Sequence, residues 1–298
     1  MPVQALVLWL ALGADRVFGD PGNAFHPTAW LGRFIGWWGR PSLYRPGLQR
    51  LAGILMGILT MLLYALPFAL FWRYAPLLLI ILAGPFLLKI CFAWRCLEEH
   101  VSHVVSALEN GGGETEVQML VSRDASALDN EGILSAAYES MAENLVDSIT
   151  SPLFFFAIGG LGSAALFRAV NTMDAMLGYK DERVRIGWFA ARLDDILNYI
   201  PARLTGLVLL FWFACRGRFR QAWHILRRDA CKRSGFNGGI PMAVIAGGAG
   251  IRFRKAGVYE IGDPEKSLYE GGDEIVLAVR AATLIWAVLI TGFTFLML

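Results

Sequence analysis

The chain has 298 residues, 56% of them hydrophobic and only 17% charged, with a mean hydropathy of +0.49. Soluble domains average about 45–50% apolar and about 25% charged, so the composition excludes an ordinary soluble globule and points to an integral membrane protein. The net charge of +2 says little by itself about partners.

The first apolar run, Val3 to Phe18, carries Asp15 and Arg16 near its end. No basic residue precedes it and no small-residue cleavage site follows, so it is not expected to be a signal peptide. Gly19-Asp20-Pro21 and His26-Pro27 are turn signals, and His26 reads more readily as structural than as catalytic. Arg33, Arg40, Arg45 and Arg50 come next with no acid among them, which predicts a cytoplasmic segment. Leu51 to Trp72 is 22 residues without a charge, enough to cross roughly 30 Å of hydrocarbon. Pro76 to Trp94 is a second span, with Lys89 near its end placed to snorkel. Together they form a hairpin that leaves Arg73 and Tyr74 outside and returns residues 95–150 to the cytoplasm.

The three glycines at 111–113 mark a loop between two helical patterns. Ser151–Phe167 and Leu204–Cys215 are apolar but short, and read as tilted spans, half-spans or buried helices. Arg216 to Arg233 holds seven Lys/Arg against Asp229 and is again expected inside. The number of crossings between 150 and 216 is therefore zero or two, and zero is favoured. Phe219, Trp223, Leu226 and Ala230 make 216–233 an amphipathic basic helix lying on anionic lipid; a nucleic-acid surface is the competing reading, disfavoured on a membrane protein. Val258 to Ile261 reads as a short strand or a loop. Ala281 to Leu298 is the last span. Cys91, Cys96, Cys215 and Cys231 lack zinc-ligand spacing and read as free thiols. No internal repeat is apparent. The expected fold is an all-α polytopic bundle of about 4–6 membrane segments (3–18, 51–72, 76–94, 151–167, 204–215 and 281–298). Some of these are short or re-entrant, cytoplasmic helical loops join them, and 1–298 forms one domain.

Chemistry concentrates between Tyr138 and Arg203. Glu139, Glu143 and Asp147 recur every four residues, each step turning about 40° on a helix, so the three carboxylates share a face. They repel one another unless a cation lies among them; Mg²⁺, held by one or two carboxylates plus substrate phosphates, would serve. The alternative is a solvated acidic face. Arg192, Asp194, Asp195 and Asn198 form a second cluster ahead of Pro201 and Arg203, with Arg192–Asp195 also readable as a simple helical ion pair. Asn171, Asp174 and Lys180 precede it. Such a set offers cations for phosphate oxygens and carboxylates for a metal or a proton. Arg123-Asp124 begins a charged loop or cap. The loop Gly235 to Pro241 would cradle an anion through backbone N–H groups, although it lacks a Walker lysine. No GxSxG, HExxH or CxxC motif is present. From the residues alone, the chain is a membrane protein with a polar, phosphate-handling site.

These strings resemble the adenosylcobinamide-phosphate synthase family of cobalamin biosynthesis, the CobD/CbiB family. The likeness runs nearly end to end. It includes GDP…HP…LGRFIG at 19–36, SRDASALD at 122–129, ESMAENLVDSITSPLFF at 139–155, AVNTMDAMLGYKDERVRIGWFAARLDDILNYIPARLTG at 169–206 and AVIAGGAGIRF at 243–253. The family's Ser-Pro-Asn loop is replaced here by Gly235, Phe236 and Asn237, which keeps the asparagine and loses the proline.

The resemblance implies an ATP-dependent amide ligase joining adenosylcobyric acid to aminopropanol or its phosphate. It implies catalytic roles for Glu139, Glu143, Asp147, Asp174, Lys180, Asp194 and Asp195. Substrate or nucleotide contacts would fall to Arg123, Asp124, Asn144, Asn171, Arg192, Asn198, Arg203 and Asn237, with Mg²⁺ at Glu143 and Asp147. ATP places the site on the cytoplasmic side of the cell membrane, with the corrinoid against the lipid surface near 219–233. Other membrane-bound cobalamin-assembly enzymes and an oligomer are compatible with that picture; nucleic acid is not. A corrinoid carrier would carry the same polar residues but usually shows repeats, and a non-catalytic relative would tolerate loss of the acidic stripe.

Overall fold

A computed structural model describes residues 2–20, 26–120, 124–125 and 128–297. Arg123 lies outside them. In chain order the helices are α1 Val3–Phe18, α2 Pro27–Trp38, α3 Gln49–Tyr74, α4 Leu77–Lys89, α5 Trp94–Glu109, α6 Glu114–Gln118 and α7 Asn130–Asn144. A π-helical turn, Leu145–Thr150, follows α7. Then come α8 Ser151–Leu177, α9 Trp188–Leu197, α10 Tyr199–Cys215, α11 Phe219–Asp229, α12 Gly239–Ala249 and α13 Leu268–Leu296. The strands β1 Phe253–Lys255 and β2 Tyr259–Ile261 pair antiparallel, Phe253 opposite Ile261.

The fold is all-α and polytopic. Gln49–Tyr74, Leu77–Glu109, Asn130–Leu177 and Leu268–Leu296 are long and apolar enough to cross a membrane, and α9 with α10 makes a fifth if the pair is one broken span. Leu55, Leu62, Leu63 and Leu66 on α3 and Leu78 and Leu82 on α4 stand exposed, an apolar surface suited to lipid rather than water.

The chain forms two compact units, each assembled from separated stretches. The first comprises Met1–Ala93, Ser151–Asn198 and Ala287–Leu298. Its core joins Leu31, Ile35 and Trp38 of α2 to Ala169, Val170, Met173 and Leu177 of α8 and to Ile186 and Ala190 at α9. Gly53 and Gly57, one helical turn apart on α3, make room for this. A Cβ on Gly53 would overlap the Ile186 carbonyl oxygen, and one on Gly57 would press on the Phe189 ring. Small residues four apart let backbones approach closely in membranes; here they seat the segment that opens α9. α8 extends ten residues beyond the expected 151–167 and is broken inside. Gly159 and Gly160 leave helical geometry, Gly160 at φ 68°, where a side chain would strike Trp72. Near the N-terminus, Trp9 Nε1 donates to Thr291 Oγ1 at 3.0 Å. Lys89 does not snorkel. It is buried, 2.5 Å from Asp20 and 3.9 Å from Asp15.

The second unit comprises Trp94–Thr150 and Tyr199–Trp286. α12 is buried along its whole length and packs against α7, α10 and α11. The basic segment is helical over Phe219–Asp229. Ala222, Ile225 and Asp229 form the buried face of α11, while Phe219 and Trp223 stack at 6.2 Å on the exposed side. Most of its cations pair with acids of the same unit: Arg216 with Glu274, Arg218 with Glu265, Arg228 with Asp229 and Asp263, Lys232 with Asp229 and Arg233 with Glu143. Asp229, whose fully buried carboxylate needs donors, accounts for two of these pairs, with Arg228 and Lys232.

Burial works against the Asp229 charge. Hydrogen bonds from Arg228, the Gly262 N–H and Lys232 outweigh it and hold the carboxyl well below the usual carboxylate range. Its stabilisation is therefore complete above about pH 4 and is lost as pH falls through the folded-state value. Asp229→Asn is expected to cost about 1–3 kcal/mol at pH 7 and to flatten the acid-side fall of the thermal midpoint. Gly53→Val is expected to lower that midpoint by several degrees, since the Ile186 backbone cannot move aside; thermal scans of the purified protein check both.

Candidate functional site

The polar residues of the second unit gather on α7. Asp129 caps this helix by accepting from the Gly132 N–H at 2.8 Å. Residues Gly132 to Ala142 are buried, so Glu139 is carried into the interior. Both its carboxylate oxygens are engaged. Ser135 Oγ donates to Oε1 at 2.6 Å and the Tyr259 hydroxyl donates to Oε2 at 2.7 Å. Ser135 Oγ in turn accepts the Arg254 N–H at 2.7 Å, which ties the β1–β2 hairpin to the helix. Burial pushes the Tyr259 hydroxyl well above its usual range, and the Glu139 carboxylate adds to this. The phenol stays a donor.

Glu143, one turn on, pairs with Arg233. Asn144 Nδ2 donates to the Ser140 carbonyl at 2.9 Å and its Oδ1 accepts from Ser148 Oγ at 3.1 Å. Asp147 lies half-buried in the π turn. A π turn closes on the fifth residue rather than the fourth. Of the three carboxylates expected to share a face, Glu139 accepts from Ser135 and Tyr259 while Glu143 pairs with Arg233. Among the described residues no group of three His, Cys, Asp or Glu side chains is placed to hold a metal by itself. Glu143 and Asp147 offer the small carboxylate set that Mg²⁺ uses when phosphates complete its shell.

The loop before α12 gathers two arginines. Arg203 stacks on the Tyr199 ring, 3.3 Å from its centroid, and donates to Asn237 Oδ1 at 3.1 Å and to the Phe236 carbonyl at 3.3 Å. Arg233 donates to the Ser234 carbonyl at 3.0 Å on its way to Glu143. Gly238 clears its path, since a Cβ there would stand 2.8 Å from the guanidinium carbon. The lost proline matters little in this geometry. Arg203 reads a carbonyl at 236, which any residue supplies, while Gly235 takes φ 106°. Asp124 is exposed.

In the first unit, α8 and α9 bring a different set together. Asp194 is buried and accepts from Asn198 Nδ2 at 2.8 Å and Asn171 Nδ2 at 3.4 Å. Asn198, also buried, accepts from Ser151 Oγ at 2.5 Å. Asp174 and Asp195 are the charged neighbours of Asp194. A buried carboxylate held by two amides, with acids beside it, is suited to an ammonium group or a proton. Arg192 and Lys180 do not join it. Arg192 is exposed and, among the described residues, pairs with Asp195 at 3.9 Å. That is the simple helical pair, because α9 turns residue 192 to the outside. Lys180 lies exposed in the turn after α8.

Sequence reasoning did not single out Arg233, Tyr259 or Ser135. Arg233 was one of seven basic residues, and its signal was the glycine five positions on. Tyr259 becomes visible only once the hairpin is docked. Tyr259→Phe leaves a buried oxygen of Glu139 without its donor and is expected to cost about 1–3 kcal/mol of stability, read by thermal denaturation.

The family described as CobD/CbiB protein matches residues 8–287. The probable cobalamin biosynthesis protein CobD of Methanothermobacter thermautotrophicus is 41% identical over 296 residues, covering 94% of each chain. The cobalamin biosynthesis protein CobD of Dehalococcoides mccartyi is 38% identical over 296 residues and 96% of each chain. That of Rhodobacter capsulatus is 37% identical over 270 residues, 86% of this chain and 83% of its own. No solved structure matches the chain.

Proposed function

The chain belongs to the CobD/CbiB family of cobalamin-biosynthesis proteins, and from that premise we propose that it is an adenosylcobinamide-phosphate synthase. It would join the carboxylate of adenosylcobyric acid to the amine of (R)-1-amino-2-propanol phosphate, or to the unphosphorylated amine, at the expense of ATP. The observation that carries this reading is where the buried polar groups fall. Glu139, Ser140, Asp194, Asn198 and Thr205 are buried, and all lie in the strings 139–155 and 169–206 that mark the family. Buried polar groups beside membrane spans are costly and are retained for function.

A carboxylate does not acylate an amine at neutral pH, because its leaving group would be an oxide. Transfer of a phosphoryl group from ATP to the carboxylate oxygen breaks a phosphoanhydride and makes an acyl phosphate. The amine then attacks the acyl carbon, phosphate leaves, and the nitrogen gives up a proton. The first step needs cations around the moving phosphoryl group. Arg203 of α10 and Arg233 of the segment before α12 supply them, with Asn237 holding Arg203 in place. Glu143 neutralises Arg233 until phosphate oxygens replace it. Mg²⁺, held by Glu143 and Asp147 with the nucleotide's phosphates, would supply further charge neutralisation. Glu139 orients the Tyr259 hydroxyl, since both its oxygens already accept. ATP is cytoplasmic, which supports a site open to that side of the cell membrane.

The test is turnover by the purified protein given adenosylcobyric acid, aminopropanol phosphate, ATP and Mg²⁺, with the amide detected by mass. Glu143→Gln keeps the side chain's shape and is expected to lower turnover by about a hundredfold or more while the protein stays folded. Wild-type turnover in that variant would remove Glu143 from the chemistry. Corrinoid binding without amide formation would make the protein a carrier.

A further inference from the structure

The two faces of α2 meet different surroundings. Leu31, Ile35 and Trp38 are buried in the core of the first unit. Trp30, Arg33 and Trp37, spaced by three and four residues, lie on the opposite face, and Arg40 follows just past the helix end. All four are exposed, Trp30 at 53% and Trp37 at 63%, with Trp37 stacked on Phe34 at 5.9 Å. The helix has 12 residues. It rises about 18 Å, too little to cross about 30 Å of hydrocarbon.

The charge around this face is of one sign. No acid occurs in the sequence between Asp20 and Glu98. Arg33, Arg40, Arg45 and Arg50 are exposed, and among the described residues none of them enters an ion pair. The turn after α8 lies beside them: Arg185 donates to the Pro46 carbonyl at 3.3 Å, and the Arg50 guanidinium stands 5.7 Å over the Trp188 ring. That turn adds Lys180 and Arg185 against Asp181 and Glu182, and Asp181 is taken by Arg183. The surface therefore keeps a large positive excess. It also runs into the lipid-facing leucines, because Leu48, Leu51 and Leu55 stand exposed on either side of Arg50 at the start of α3. Arginine and tryptophan beside exposed leucine at the end of a span mark the level where hydrocarbon gives way to headgroups. An acidic soluble partner would answer the arginines and leave the leucines against water; an anionic bilayer answers both.

We propose that α2 and the segment that leads from it to Arg50 form an interfacial platform that binds anionic phospholipid in preference to zwitterionic lipid. The guanidinium forks of Arg33 and Arg40 take phosphodiester oxygens in bidentate fashion. The Trp30 and Trp37 rings sit among the glycerol ester groups at the edge of the acyl chains. The inference stands on the first unit alone and does not depend on the ligase reading.

The experiment titrates the full-length protein in detergent micelles with dimyristoyl phosphatidylglycerol or dimyristoyl phosphatidylcholine and counts the retained lipid by native mass spectrometry. Wild type is expected to hold the anionic lipid roughly tenfold more tightly or better, and the preference is expected to shrink as salt is raised. Arg33→Gln combined with Arg40→Gln should weaken phosphatidylglycerol by roughly twentyfold, about fivefold for each arginine near the surface. Phosphatidylcholine binding and the thermal midpoint of the lipid-free protein should not move, because both side chains are exposed. Arg33→Lys with Arg40→Lys should keep most of the preference. Arg220→Gln with Arg227→Gln, on the exposed side of α11, is the matched control and should keep it too. An unchanged preference in the α2 glutamine variant overturns the proposal, as does a preference lost only in the α11 variant. Equal binding of the two lipids by wild type, or a preference that salt leaves untouched, sinks it as well. If glycerophosphoglycerol, the headgroup without its acyl chains, binds as tightly as the lipid, the arginines hold a soluble phosphodiester and the platform is not a membrane contact.

Discussion

Lipid satisfies no polar group, and that constraint governs this chain more than any single contact. A carboxylate or guanidinium removed from water must find donors or acceptors inside the protein, at a cost of several kcal/mol if it does not. The second unit shows how far the requirement reaches. Buried Asp229 draws in Arg228, Lys232 and the Gly262 N–H, so part of the charge of a segment that reads as a lipid-binding basic helix serves the protein's own carboxylate. Glu139 does the same to the hairpin, holding Tyr259 through its carboxylate and the Arg254 backbone through Ser135. In the first unit, Lys89 answers Asp15 and Asp20 instead of reaching for the interface.

The same constraint explains what the sequence reveals and what it conceals. Uncharged runs such as 51–72 declare their spans directly, because hydrocarbon tolerates nothing else over that length. α3, the second span and α13 were legible for this reason. The family strings located the buried Glu139, Asp194, Asn198 and Asn237. What stayed hidden was partnership. Whether Arg192 faces an acid or the outside depends on the azimuth of α9, which Gly53 and Gly57 on a distant helix fix. Whether Asp147 aligns with Glu143 depends on one π turn. The division of the chain into two units was also illegible, since neither is a contiguous stretch and no linker composition marks the joins.

The glycine loop shows how a motif changes while its geometry persists. Arg203 contacts a main-chain carbonyl and one asparagine side chain. Only the asparagine is constrained in identity; the neighbouring positions need the right backbone path. Gly235, at positive φ, and Gly238, which clears Arg233, provide that path by freedom and by absence of a side chain. A proline would provide part of it by rigidity.

The hydrogen bond between Trp9 and Thr291 has a consequence for biogenesis. It joins α1 to α13, and Ala287–Leu298 belongs to the same unit as Met1–Ala93. During synthesis α1 therefore waits, with part of its packing surface open, until α13 has emerged. Contacts of such long sequence separation close late and slowly. The insertion machinery must shelter that surface while the 282 residues that separate the two partners are made.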